Sequence, residues 1–207
     1  CISKSGAVRK AWIRCRSSRP RAPIRSMGYA ETRLRVAKSL PKNAIGAEIG
    51  VWKGDFSAVL LREAQPSCLH LIDPWQIQSD PGHVEAWYGA SSGVDMDAIH
   101  QHVVARFARE IGLGQISVHR ATSYNAMQAL EDASLDFVYV DGDHAYEAVK
   151  LNLMMSYAKI RSGGLLCVDD HRTGKWWGDG VVRAVNELLG TYSSGAQVMF
   201  CADSQMI

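Results

Sequence analysis

The 207-residue chain is 47% hydrophobic and carries a formal net charge of +2. This size and apolar content suit one globular domain with a substantial core, and no apolar run reaches the roughly 18 residues of a membrane span. The charge is uneven: residues 1–26 hold eight Lys or Arg and no acid, leaving 15 basic against 21 acidic residues, a balance of −6, for the rest of the chain. An acidic body argues against a broad nucleic-acid surface.

Five scattered cysteines (Cys1, Cys15, Cys68, Cys167, Cys201) show no CxxC spacing. They read as reduced thiols of a cytoplasmic protein rather than a disulfide framework or a zinc site. Residues 1–26, rich in Arg, Ser and Pro, lack apolar periodicity. A basic arm, a transit peptide and a disordered leader all fit, and a leader is expected, with the folded domain over 27–207.

Residues 30–40 read as a short helix with Leu34, Ala37 and Leu40 inward, stopped by Pro41. A strand ending near Ile49 follows. It leads through Glu48-x-Gly50-x-x-x-Gly54 into a helix carrying Phe56, Val59 and Leu60. Glycines at 50 and 54 allow close backbone approach to a ligand, but the spacing is not the G-x-G-x-x-G fingerprint. The next strand, Cys68–Asp73, ends in an acid, as strands that hold ribose hydroxyls do. Residues 74–98 interrupt the alternation as a lid or substrate-wall insertion. Ile99, Val103, Phe107 and Ile111 predict an amphipathic helix closed by Gly112 and Gly114. A third strand covers 116–120, and Ser123 is a candidate cap for a helix over 124–130.

The most informative stretch is 135–171. Phe137–Val140 and Leu165–Val168 are short apolar runs, each ending in acid, suited to strands buried in a parallel sheet. Tyr146, Val149, Leu153, Tyr157 and Ile160 recur at helical spacing between them. A strand–helix–strand crossover brings Asp141, Asp169 and Asp170 to one sheet edge, where open α/β sheets bind ligands. Three converging carboxylates call for a cation, and a hard divalent ion such as Mg²⁺ suits them. A last helix carries Val182, Val185, Leu188 and Leu189, and a short strand over Val198–Cys201 leaves the final edge hairpin incomplete.

Together, Glu48-x-Gly50-x-x-x-Gly54, Asp73, the Asp141-Gly-Asp143-His144 turn and Gly163-Gly…Asp169-Asp170 resemble class I S-adenosylmethionine-dependent methyltransferases. The D-G-D-H-x-Y subgroup, related to macrocin-type sugar O-methyltransferases, is the nearest match. The resemblance implies a Rossmann-like, doubly wound, mostly parallel sheet with helices on both faces. It implies that Gly50 and Gly54 line the methionine part of the cofactor, with Glu48 near its amino group. Asp73 would bind the ribose, Thr122 and Ser123 would approach the adenine, and Asp141 would border the cofactor. Asp141, Asp169 and Asp170 match the metal positions of the Mg²⁺-dependent members. Asp143 and His144 compete for the role of base.

The function expected is methylation of a hydroxyl on a small molecule, such as a sugar or glycoside, with no nucleic-acid or membrane partner and with self-association left open. A metal-dependent hydrolase using the Asp/His cluster and a non-catalytic nucleoside-binding domain are the alternatives. A hydrolase has no need of the glycine turn with Asp73, and a binding domain has no need of three converging acids.

Overall fold

In the computed structural model, residues 28–207 are described except 80, 84, 175 and 203. The expected leader, 1–26, lies outside the described residues. The elements run α1 (Tyr29–Ser39), β1 (Ile45–Ile49), α2 (Asp55–Glu63), β2 (Cys68–Asp73), α3 (Met96–Arg106), α4 (Ala108–Gly112), β3 (Ile116–Arg120), α5 (Ser123–Gln128), β4 (Leu135–Val140), α6 (Tyr146–Lys159), β5 (Ile160–Val168), α7 (Gly180–Thr191), β6 (Cys201–Ala202) and β7 (Gln205–Met206).

Among the described residues, seven strands form one sheet in the order β3-β2-β1-β4-β5-β7-β6. The first five are mutually parallel, and β7 runs antiparallel to both β5 and β6. This is the doubly wound α/β arrangement expected. β4 is buried at all six positions, which explains why it reads as a continuous apolar run rather than an alternating one.

Two cores sandwich the sheet. On one face Val36, Phe56, Leu60, Val103 and Phe107 pack against Leu69, Leu71, Phe137 and Tyr139. On the other, Val149, Leu153, Val181, Val185 and Leu188 pack against Ala47, Ile49, Val138 and Val140.

Several local expectations need correction. In α1 the inward residues include Thr32, Val36 and Ala37, whereas Leu34 is only half-buried. The helix expected across Ile99–Ile111 breaks at Phe107, whose φ of −109° and ψ of 21° leave helical geometry. Thr122, not Ser123, caps α5, accepting from the Asn125 N–H at 3.3 Å. The C-terminal hairpin is present, as two two-residue strands rather than one strand over Val198–Cys201. Turn geometry decided that last case, because the chain reverses through Ser204 at φ 68°.

The 74–98 segment contains a 3-10 turn, Pro81–His83, and an isolated bridge between Gln78 and Gly89. No helix among the described residues is long and apolar enough to cross a membrane.

Candidate active site

The carboxyl ends of β1, β2, β4 and β5 are kept in step by backbone bonds that continue the ladders. Gly50 N–H donates to Ile72 O at 2.9 Å, Asp141 N–H to Ile49 O at 2.8 Å, and Asp169 N–H to Val140 O at 2.9 Å. The residues after each strand therefore share one edge.

At the β1 turn, Gly50 has φ 89°, and a Cβ there would lie 2.1 Å from the Asp141 carbonyl oxygen. Its lack of a side chain lets the β1 and β4 turns touch. Gly54 adopts the left-handed conformation (φ 76°) as the N-cap of α2 and sits under the Phe107 ring. Both glycines thus have a packing reason within the protein, beside any approach to a ligand. Glu48 is buried, and the Ser57 hydroxyl donates to it. Burial pushes the Glu48 carboxyl up to about 7, against the pull of Ser57 and Arg33.

Asp73 closes the glycine turn from β2. Its Oδ2 accepts from the N–H groups of Val51 (3.0 Å) and Trp52 (2.9 Å), and Oδ1 accepts from Trp75 N–H (2.7 Å). Burial raises its pKa despite these three bonds. A carboxylate offers about four acceptor sites, so acceptor capacity remains for a hydroxyl. Thr122 and Ser123 stand at the end of β3, with Ser123 Oγ donating to Asn152 Oδ1 on α6.

Asp141 and Asp169 lie close together and share Arg33, but the other partners of the three aspartates differ. Asp169, buried, accepts from Tyr29 (2.6 Å), Tyr139 (2.9 Å) and Gln205 side chains. Asp141 and Asp170 face His144 instead: its Nε2 lies 3.0 Å from Asp170 Oδ2 and 4.0 Å from Asp141 Oδ1. Asp141, His144 and Asp170 each offer a ligand atom, all within 4.8 Å of one another. Asp170 reaches this position through a left-handed backbone, φ 50°, uncommon for a residue with a side chain. Burial opposes its ionisation, but the bonds and charges of His144 and Arg172 prevail and hold it below the usual carboxylate range.

Arg33 was not read as a site residue from sequence. From α1 its Nη2 lies 2.7 Å from Asp141 Oδ2 and its Nη1 3.5 Å from Asp169 Oδ2. Its guanidinium sits 4.2 Å from the centre of the Phe56 ring. Burial and the charge of Asp169 drive the Asp141 pKa well up, and Arg33 works against them. No local pattern marks Arg33, because its partner Asp141 lies 108 residues away in sequence. Asp143 accepts from Ala145 N–H at 2.9 Å and meets the His83 ring at 2.9 Å.

A sheet of this order, with a glycine turn and acid after β1 and β2 and acids after β4 and β5, is the class I S-adenosylmethionine-dependent methyltransferase fold. The family model of a methyltransferase domain matches residues 47–171, and the chain belongs to that family. Among solved structures, the O-methyltransferase NovP aligns with a TM-score of 0.61 at 18% identity, covering 84% of this chain and 77% of that one. A protein of Corynebacterium glutamicum aligns at 0.58 and 17%, covering 84% and 76%. The tRNA methyltransferase TrmK of B. subtilis aligns at 0.52 and 13%, covering 84% and 63%. At these identities the likeness is one of fold. An uncharacterized protein, R132, of Acanthamoeba polyphaga mimivirus is 30% identical over 61 residues, 30% of this chain, and the match spans only 27% of that relative.

Proposed function

We propose that this protein transfers a methyl group from S-adenosylmethionine to a hydroxyl of a small molecule such as a sugar or glycoside, assisted by Mg²⁺. The observation that carries the reading is the cluster of Asp141, His144 and Asp170 ligand atoms within 4.8 Å, beside the Gly50 turn that packs on the Asp141 backbone.

The residues present fit the cofactor. Gly50 lets the β1 turn pack closely on the β4 turn at the sheet edge, Asp73 keeps acceptor capacity for ribose, and the buried Glu48 carboxyl suits a cationic amino group. Thr122 and Ser123 would border the adenine. Bound there, the cofactor supplies an electrophilic methyl group on a sulfonium.

The donor set also fits a divalent cation. The oxygens of Asp141 and Asp170 would hold it, because Mg²⁺ takes carboxylates and keeps waters. Asp169, expected as a third ligand, has both oxygens engaged by Tyr29, Tyr139 and Gln205, whereas Asp141 Oδ1 and Asp170 Oδ2 face the cluster. It is better assigned to holding the framework. Held there, a cation would supply Lewis acidity to a hydroxyl bound beside it. The acceptor's proton would then pass to Asp143, while His144 is engaged with Asp170. Alignment of the acceptor oxygen with the methyl carbon is a large part of the rate in such an in-line displacement.

Calorimetric titration with S-adenosylhomocysteine, with and without Mg²⁺, tests the reading. Binding that is lost in Asp73→Ala supports it, and a radiolabelled methyl-transfer screen of hydroxylated small molecules then seeks the acceptor. A folded protein that binds no S-adenosylhomocysteine overturns it.

A further inference from the structure

His83 is a side chain of the 74–98 segment that reaches the site. It ends the Pro81–His83 turn, is only 7% exposed, and places Nε2 at 2.9 Å from Asp143 Oδ2 across sixty residues of sequence. The other oxygen, Oδ1, is taken by the Ala145 N–H at 2.9 Å, so both oxygens of this carboxylate have a fixed partner. The His83 ring lies 5.2 Å from that of Trp176 and 5.8 Å from that of Tyr88. Trp176, from the loop after β5, stands 6.0 Å from the His144 ring in turn. The backbone around His83 is shaped for this seat. Ala86 N–H donates to His83 O at 2.9 Å, and Gly89 passes so close that a Cβ would lie 2.1 Å from that same oxygen.

We propose that His83 is the positioning residue of Asp143, resting on the reading of Asp143 as the base above. Nε2 carries the proton and donates it to Asp143 Oδ2, which fixes the carboxylate plane while leaving each oxygen a lone pair for the acceptor's proton. Because His83 belongs to the insertion, seating the insertion on Trp176 and aligning Asp143 are one event. The insertion then does more than wall off the acceptor: it completes the base.

The test uses the full chain, ¹⁵N-histidine labelling, and the variants His83→Leu, His83→Gln and Asp143→Ala. His83→Leu identifies the His83 resonances. In the wild type at neutral pH the Nε2 signal is expected in the protonated range, and in Asp143→Ala it shifts to a tautomer average. Chymotryptic cleavage after Trp87 and Tyr88 is expected to speed up roughly tenfold in His83→Leu and Asp143→Ala, as for the loss of one charge-assisted hydrogen bond that holds a segment closed. His83→Gln, which keeps a donor, restores most of the protection. An unchanged His83 tautomer in Asp143→Ala, or Gln behaving as Leu, overturns the proposal. S-adenosylhomocysteine binding is expected to be the same in all four proteins. If none of them binds it while the His83 readouts hold, the cofactor reading fails and the His83–Asp143 link stands.

Discussion

Arg33, on the first helix, lies 2.7 Å from Asp141, at the end of the fourth strand, and reaches Asp169 with its other terminal nitrogen. The pair is mostly buried, with side chains 19% and 17% exposed. Replacing Arg33 by Met leaves two neighbouring acids without this countercharge. Loss of one partner of a buried pair costs about 3–5 kcal/mol, and partial exposure reduces that here to about 2 kcal/mol. Urea unfolding at pH 7 checks it, and unchanged stability would count against the bridge.

The proposed cation site separates the acids. Asp170→Asn is expected to weaken Mn²⁺ binding, followed by calorimetry, by at least about tenfold, as losses at metal sites commonly do. Asp169→Asn should instead lower stability while leaving Mn²⁺ affinity nearly unchanged, because its oxygens face Tyr29, Tyr139 and Gln205. The opposite pattern would return Asp169 to the ligand set.

Glu48 sets a pH dependence. Its folded pKa, about 7, lies above the ordinary 4.5. The unfolded chain therefore gives up this proton first as pH rises, and stability falls across the window from 4.5 to 7. The loss is about 3 kcal/mol for a shift of this size. Unfolding free energies of the wild type and Glu48→Gln, compared at pH 4.5 and 8, should differ by that amount more at the higher pH. A constant difference would mean that Glu48 ionises normally.

Gly50→Ala should be far worse than Gly114→Ala, although both positions have positive φ. A Cβ at Gly50 meets the Asp141 carbonyl, whereas at Gly114 there is open space. The left-handed backbone alone costs about 1–2 kcal/mol, and Gly50→Ala adds a backbone collision to it. Thermal melting of the two variants checks the order, and equal losses would deny the contact between the β1 and β4 turns.

The sheet was legible because its strands are short apolar runs ended by acids, and helices of clear period separate them. The site was legible where chemistry sits next to a strand end, as at Asp73, Asp141 and Asp170. What escaped were contacts made across long sequence separations. Arg33 lies on a helix whose pattern marks only its buried face, and His83 lies in a segment without periodicity. Tyr139 looked like a strand aromatic, yet its hydroxyl serves Asp169 from inside the sheet. The break at Phe107 left no signal either, since Phe107 keeps the apolar period of the helix it interrupts.

The family match begins at residue 47, after the helix that carries Tyr29 and Arg33, and ends at 171, before Gln205. A fragment trimmed to those limits would keep each recognisable motif and still lose Tyr29, Arg33, Arg172 and Gln205, four of the groups that neutralise or bind its acids. The recognisable segment holds the proposed site, and the flanks supply partners for its buried acids. Constructing a minimal version of this domain therefore means retaining both ends, or replacing the Asp169 carboxylate together with the groups that cradle it.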